Sequence, residues 1–305
     1  MNRKFLCPRL ASACAVIVAF VAALQASAFE TLPRQVPTPA DNPVTPAKVE
    51  LGRKLYFDKR LSADNTVSCN SCHNVMAAGE DGQPTSTGIR GQRGGRSAPT
   101  VWNSGFLSVQ FWDGRANTLE DQAKGPLVNP IEMGMKDHAA VIEKVKAIPG
   151  YASEFEKAFG GKEAVTIDNL AKAIASYERT LVTRNSPVDR YVAGNKKALN
   201  AQQVRGMQLV QTVGCVACHM GPNYAGPALP LGTGFYQKFP TFPDAAIEVK
   251  YGFSKDLGRY EVTKQEADKH LFRVPTWRNV AKTAPYFHNG AVKTLDEAVR
   301  VMAKT

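Results

Sequence analysis

Two copies of a five-residue motif, Cys-x-x-Cys-His, are the residues best placed to do chemistry. One copy occupies residues 69–73 and the other residues 215–219. Two thiols at this spacing can form thioethers with the two vinyl groups of one porphyrin, and the adjacent histidine then falls on the iron as its proximal ligand. The motifs therefore predict two covalently bound c-type haems. Their attachment residues would be Cys69, Cys72 and His73 for the first haem, and Cys215, Cys218 and His219 for the second.

A bare Cys-x-x-Cys also occurs in zinc sites and redox sites. A zinc site would need two further Cys or His ligands nearby in sequence, and the sequence has none near either motif. Two motifs in one exported chain favour haem attachment.

The N-terminus has the features of a secretory signal. It carries three cations within nine residues, an apolar stretch over residues 14–24 and small residues at 26–28. We expect residues 1–28 to be a cleaved signal peptide. An uncleaved membrane anchor is the alternative, but the apolar run is short for a span. Since c-type haem is attached outside the bacterial cytoplasm, the sequence predicts a periplasmic protein.

Net charge and cysteine content indicate which partners and cross-links the protein could have. Removing the three signal-peptide cations from the formal charge of +11 leaves an excess of +8, which could steer an acidic partner. No basic run or motif points to nucleic acid. The four cysteines outside the signal are those of the two motifs, so no disulfides are expected. About 277 residues suit two domains.

Hydrophobic periodicity predicts a mainly α protein. Thr166 can cap a helix whose apolar residues recur at helical spacing, namely Ile167, Leu170, Ile174, Tyr177 and Leu181. Short amphipathic segments at 52–57 and 202–212 lead to the two motifs. Residues 183–188 are typical of a linker, and residues 221–260 of a long irregular loop.

An internal repeat is more informative than the helices. Residues 98–120 align without a gap to residues 274–296, at an offset of 176. The matched pairs include Pro99 with Pro275, Asn103 with Asn279, Phe111 with Phe287 and Leu119 with Leu295. We therefore predict two tandem cytochrome c-like haem domains related by internal duplication. Their expected bounds are residues 29–185 and 186–305.

The repeat suggests that the two irons differ on the face opposite histidine. Met302 could supply a thioether to the second iron, which would give a high-potential electron-transfer haem. Met207 and Met220 compete for this role, and Met302 could instead be a core residue. At the same offset Met302 corresponds to Pro126, which cannot ligate iron. The first haem is therefore expected to keep an open coordination position, as peroxide or dioxygen chemistry requires.

Two polar residues flank Pro126 and could act over that open face. They are Gln122 and Glu132. A carboxylate there could move a proton between the two oxygens of peroxide. The alternative for both residues is an exposed helix side chain.

The chain resembles the bacterial dihaem cytochrome c peroxidases over essentially its whole mature length. Beside the two haem motifs, the resemblance is carried by residues 98–103, 110–123 (with Gln-Phe-Trp-Asp-Gly-Arg-Ala), 273–276 and 284–290. It implies that His73 is the proximal ligand of a low-potential, peroxidatic haem, and that His219 and Met302 hold a high-potential haem.

The resemblance also implies roles for other residues. Glu132 would be the catalytic acid–base with Gln122 beside it. Trp112 would lie between the haems on the electron path, although an aromatic residue here is equally a buried anchor. The family binds an interdomain calcium ion. Thr283 and Pro285 match its carbonyl donors, whereas Ser97 replaces the usual Asn and is a poorer calcium ligand.

One departure from the family pattern bears on mechanism. Many members have a histidine, after a glycine, that caps the peroxidatic iron until the other haem is reduced. Here Ile89 follows Gly88 and cannot ligate. We therefore expect a constitutively open site, unless Met76 or another loop residue caps the iron.

The function expected is that of a periplasmic peroxidase. It would reduce hydrogen peroxide with electrons from a small donor such as a cytochrome c or cupredoxin. A homodimer is an expectation from the family. Two alternatives are a maturase-type oxidase acting on a protein and a dihaem electron carrier without catalysis. Met302 argues against a maturase, which usually has Tyr there, whereas Pro126 and Ile89 argue against a carrier.

Overall fold

The computed structural model describes residues 29–305. The signal peptide expected at residues 1–28 lies outside the described residues. Within them the chain is mainly helical, with eleven α-helices, seven short 3-10 turns and one pair of three-residue strands. This confirms the mainly α class. None of the helices in residues 29–305 is long and apolar enough to cross a membrane.

The first half contains six α-helices, which are α1 (Pro46–Phe57), α2 (Cys69–Cys72), α3 (Leu119–Val128), α4 (His138–Lys146), α5 (Tyr151–Phe159) and α6 (Ile167–Glu178). The second half contains α7 (Pro187–Val192), α8 (Ala201–Thr212), α9 (Ala245–Tyr251), α10 (Tyr260–Thr263) and α11 (Leu295–Met302). Strands β1 (Tyr236–Lys238) and β2 (Leu271–Arg273) pair antiparallel.

The larger hydrophobic core lies in the first half. Helices α1 and α3 pack against α6, and α5 packs against α1. Thr166 caps α6 as predicted, because its side chain accepts a hydrogen bond from the Asn169 N–H at 3.1 Å. The helix ends at Glu178, and Leu181 lies beyond it but is still buried. This packed unit gives the first haem motif a rigid support.

A smaller core lies in the second half, and it corrects the prediction of an irregular loop over residues 221–260. That segment contains β1, α9 and the start of α10. Asp244 caps α9 by accepting from the Ile247 N–H at 2.9 Å, and Ile247 and Phe253 are buried in this core. The Gly, Pro and Phe content concealed these short elements. The expected linker is also shorter than predicted, because α7 already begins at Pro187.

The two repeat segments follow the same backbone path. Asn103 and Asn279 both have left-handed backbones, with φ of 64° and 62°. Phe111 and Phe287 share the same unusual conformation, with φ of 65° and 69°. Each pair is separated by 176 residues, which is the offset found in the sequence.

The two segments also contact each other reciprocally. The Ser97 N–H donates to the His288 carbonyl at 2.7 Å, and the Arg273 N–H donates to the Trp112 carbonyl at 2.8 Å. Ser97 corresponds to Arg273, and Trp112 to His288, at the same offset. A residue and its counterpart therefore make the same bond in opposite directions, as across a twofold axis. The rings of Trp112 and His288 meet there edge to face, with centroids 6.4 Å apart.

Candidate haem sites and peroxide cavity

The first Cys-x-x-Cys-His motif forms the single turn of α2, and His73 ends it. The His73 N–H donates to the Cys69 carbonyl at 2.9 Å, and the Tyr56 hydroxyl donates to the His73 carbonyl at 2.7 Å. The His73 Nδ1 donates to the Pro99 carbonyl at 2.9 Å. Burial lowers the pKa of His73, so the ring is neutral near pH 7. A neutral imidazole anchored through Nδ1 leaves Nε2 for a metal ion.

The second motif forms a 3-10 turn instead, but its histidine is anchored in the same way. The His219 Nδ1 donates to the Tyr224 carbonyl at 3.2 Å, and its ring stacks on Trp277 at 4.2 Å between centroids. Burial lowers the pKa of His219 to about 4, while the carbonyls of Tyr224 and Pro275 oppose this shift. Pro275 is the repeat counterpart of Pro99, so equivalent carbonyls act on the two histidines.

The four motif cysteines are free thiols and none forms a disulfide within the described chain. Burial raises the pKa of Cys72 to about 11 and that of Cys69 still further, which keeps both protonated. No group of three or more His, Cys, Asp or Glu in residues 29–305 could hold a bare metal ion.

Arg273 places a buried guanidinium at the junction, which is where the two repeat segments contact each other. This guanidinium could pair with a carboxylate of a haem. Arg273 is buried, and burial lowers its pKa to about 10. Its side chain donates to the carbonyls of Phe111 and Val274, both at 3.1 Å, and no carboxylate in the described chain pairs with it. A buried cation that lacks a counter-ion is costly unless an anion reaches it. Together with the anchored imidazoles and paired thiols, this fits haem, whose propionates are anions.

A cavity of about 310 Å³ lies beside α3, next to Pro126 within its last turn. Its lining residues are Phe111, Arg115, Ala116, Asp121, Gly125, Pro126, Asn129 and Glu132. The structure therefore brings together Pro126 and Glu132, which are two of the three residues that the sequence assigned to the open face of the first haem.

Glu132 experiences opposing influences. Burial raises its pKa, whereas the charge of Arg115 and a 2.8 Å hydrogen bond from the Asn129 side chain lower it, with a net upward shift. The Glu132 charge in turn helps to raise the pKa of both Cys69 and Cys72. This electrostatic influence places Glu132 in the neighbourhood of the first haem motif.

The loop that contains Gly88 and Ile89 packs directly on residues 131–132, which are called the Glu132 segment below. Ile89 is buried, and its N–H donates to the Glu132 carbonyl at 2.9 Å. Gly88 approaches so closely that a Cβ built there would lie 1.8 Å from the Ile131 carbonyl oxygen. Ile89 thus belongs to the core beside Glu132. The expectation of a constitutively open site stays a prediction.

Two further residues assigned by the sequence lie in this region. Gln122 is on α3, one turn before Pro126, but it is not part of the cavity lining. The Trp112 indole N–H donates to the Ser97 carbonyl at 2.9 Å, at the junction of the two halves. The catalytic role of Gln122 and the electron-path role of Trp112 stay predictions.

Met302 is the last residue of α11, and 51% of its surface is exposed. Thr294 caps helix α11, because its side chain accepts a hydrogen bond from the Glu297 N–H at 3.2 Å. The role of Met302 as an iron ligand is not tested by this placement.

The residues proposed for calcium lie at the junction of the halves. Buried Ser97 contacts His288 in the loop that also carries Thr283 and the cis-proline Pro285. Its carbonyl already accepts the Trp112 indole N–H. A calcium ion there stays a prediction.

Sequence reasoning missed three functional candidates, which are Arg115, Asn129 and Arg273. The signal for Arg115 was present, because it belongs to the repeat segment but has Ala291 as its counterpart. Asn129 and Arg273 are identified through contacts made on folding, which single-residue spacing does not show.

Comparisons with known proteins agree with this geometry. The family model for di-haem cytochrome c peroxidase matches residues 46–197. The chain is 46% identical to the cytochrome c551 peroxidase of Pseudomonas aeruginosa, over 91% of this chain and 78% of the relative. It is 43% identical to the cytochrome c551 peroxidase of Nitrosomonas europaea, over 87% and 78%. A solved MauG-like protein associated with microbial copper homeostasis superposes with a TM-score of 0.77 at 31% identity, over 88% of this chain and 80% of that one.

A mainly helical chain with two Cys-x-x-Cys-His motifs, and with a carboxylate-lined cavity near the first of them, defines a dihaem oxidoreductase. The two curated relatives are both named cytochrome c551 peroxidase. The chain belongs to the dihaem cytochrome c peroxidase family.

Proposed function

We propose that this protein is a periplasmic enzyme that reduces hydrogen peroxide to two waters. It would take two electrons, one at a time, from a small soluble donor such as a cytochrome c or a cupredoxin. Both haems would be attached through the cysteines of their motifs, in tandem domains that arose by duplication. The matched φ values and reciprocal hydrogen bonds of the two halves support the duplication.

The observation that carries the proposal is the cavity shared by Pro126 and Glu132. A haem held through His73 would supply an iron that binds peroxide and passes electrons to it. Pro126 offers that iron no ligand. Glu132, hydrogen-bonded to Asn129, is positioned to accept a proton from one peroxide oxygen and return it to the other.

The second half would deliver the electrons. His219 and Met302 would hold its haem, and Trp112 lies between the halves at their junction. The reaction consumes one hydrogen peroxide, two electrons and two protons, and it releases two waters. Calcium bound by Ser97, Thr283 and Pro285 would stabilise the junction. A homodimer is proposed from the family resemblance alone.

A maturase-type oxidase is the second candidate, and the likeness to a MauG-like structure favours it. Steady-state peroxide consumption with a reduced cytochrome c or cupredoxin separates the candidates. A peroxidase turns over with the donor. A maturase shows little turnover but modifies a protein substrate, and an electron carrier consumes no peroxide. Absence of turnover with any small donor would contradict the proposal.

The same assay tests the open site. We expect the fully oxidised protein to reach its full rate from the first turnover. A lag that pre-reduction abolishes would show that another residue caps the first iron.

A further inference from the structure

Arg115 points a cation into the cavity that contains Glu132. Its guanidinium lies 3.5 Å from the centroid of the Phe111 ring and donates to the Asp113 carboxylate at 2.8 Å. A guanidinium has five N–H donors. Within the described chain Asp113 is the only acceptor of its side-chain hydrogen bonds, and the side chain is 39% exposed. Donors are therefore left for a ligand.

The carboxylate of Asp113 and the ring of Phe111 fix the position of the Arg115 guanidinium. Asp113 is buried and also pairs with Arg96, which in turn pairs with Asp256 at 2.6 Å. Asp113 thus holds Arg115 while it is shared with a second cation. The ring of Phe111 supports the other side of the guanidinium. The charge is consequently held at the cavity rather than free to move with a solvated side chain.

The second half lacks this arrangement at the equivalent positions. Asp113 corresponds to Asn289 and Arg115 to Ala291. Phe287, the counterpart of Phe111, stacks instead on Phe239 at 4.8 Å between centroids. The cation therefore occurs only in the repeat where Pro126 replaces methionine, and it is absent from the repeat expected to be closed by Met302.

We propose that Arg115 is an anion-binding residue of the cavity and that it holds small anions, hydroperoxide among them, next to Glu132. The inference rests on the proposed peroxidase function and adds a second group to its site. Hydrogen peroxide gives one proton to the Glu132 carboxylate. The hydroperoxide anion that remains pairs with the guanidinium, and no bond to the protein forms or breaks. The charged groups that line the cavity with Glu132 are Arg115 and Asp121, and the nearby thiols of Cys69 and Cys72 are kept neutral by burial.

The test uses azide as the anion and the fully oxidised holoprotein. Azide affinity is read from the haem absorption spectrum at pH 7 for the wild type, R115M and R115K. R53M serves as the matched control, because Arg53 is an exposed arginine paired with Glu50 on α1. We expect R115M to bind azide about tenfold more weakly, since it loses a charge-assisted hydrogen bond to the anion. R115K should remain within about threefold of the wild type because it keeps the charge. The KM for peroxide should change in the same order.

Three results would overturn the inference. They are an unchanged azide affinity in R115M, an equal loss in R115M and R115K, and a similar loss in R53M. If R115M does not retain its haems, R115Q provides the same comparison. A wild type that binds azide but does not consume peroxide would contradict the peroxidase function and still support the anion site. A wild type that consumes peroxide but binds no azide would contradict the anion site and leave the peroxidase function supported.

Discussion

Glu132 is held where its charge can change during a reaction. Burial raises the pKa of Glu132, whereas the charge of Arg115 and the hydrogen bond from Asn129 lower it by a smaller amount. Such a balance is what a residue that accepts and returns a proton requires. His73 and His219 show the opposite case, because burial fixes both as neutral rings.

Replacing Glu132 by glutamine should remove proton transfer and leave the fold intact. We expect kcat/KM for peroxide to fall by roughly a hundredfold or more, since general acid–base catalysis contributes about 10²–10⁴. Steady-state kinetics measure this, with E143Q as the control because Glu143 is 78% exposed on α4. Equal activity of E132Q and the wild type would exclude Glu132 as the acid–base.

The pH profile provides a second check on Glu132. Its ionised form must accept the proton, so kcat/KM should fall as pH drops through its pKa. Because that pKa is raised, the acidic limb should lie above the ordinary value of 4.5. E132Q should lose this limb. A limb that persists unchanged in E132Q would assign it to another group.

Glu178 is a buried carboxyl that should make stability depend on pH. One of its oxygens is buried without a partner in the described chain, and burial raises its pKa to about 8. A raised pKa means that the neutral form stabilises the fold below about 4.5, and this contribution is lost as pH rises to about 8. E178Q should therefore gain stability over the wild type across that window, by a few kcal/mol at most.

Chemical unfolding at pH 5 and pH 9 measures the Glu178 effect. The difference between E178Q and the wild type should be larger at pH 9. E143Q should show no such dependence. A constant difference at both pH values would show that Glu178 ionises normally.

At the scale of elements, the loop before Glu132 sets the position of its backbone. Ile89 bonds to the Glu132 carbonyl, and Gly88 lies against the Ile131 carbonyl. The loop and the Glu132 segment therefore move as one unit, so a loop displacement would also displace the carboxylate.

G88A should separate this loop from the Glu132 segment. Its Cβ would lie 1.8 Å from a carbonyl oxygen, so the backbone must shift, at a cost of roughly 1–3 kcal/mol. G94A is the matched control, because its Cβ would meet nothing closer than 3.6 Å in the same loop. Peroxidase rate and unfolding midpoint should both fall in G88A and stay near wild type in G94A. Equal behaviour of the two variants would contradict the coupling.

Elements with local signals could be predicted from the sequence, and those built by distant contacts could not. Thr166 caps its helix as expected, because capping depends on neighbouring residues. The cavity at Pro126 and Glu132 followed from the repeat and the family resemblance. The stack of Arg115 on Phe111 and the bond of Ile89 to Glu132 depend on how segments meet after folding. No periodicity or spacing records them.

At the scale of the molecule, the two repeat segments make the same contacts in opposite directions but differ in chemistry. The backbone N–H groups of Ser97 and Arg273 donate to the carbonyls of His288 and Trp112, respectively, across the junction. Arg96 adds an ion-pair connection between the halves by joining Asp113 to Asp256. The junction is therefore both packed and charged.

Replacing Arg96 by methionine should weaken the junction strongly. The change leaves the carboxylates of Asp113 and Asp256 without their shared partner, and losing one member of a buried pair costs about 3–5 kcal/mol. K250M is the control, since the pair of Lys250 with Glu297 is exposed to solvent and contributes little to stability. Chemical denaturation at pH 7 measures both. Equal stability of R96M and K250M would show that the junction does not depend on this network.

The difference between the two irons is tested most directly by low-temperature electron paramagnetic resonance of the holoprotein, fully oxidised and half-reduced. We expect one iron to be low-spin with histidine and methionine ligands and the other to lack a protein ligand opposite His73. Addition of azide should change the second signal and leave the first unchanged. Two irons that are both saturated by side chains in each redox state would contradict the account.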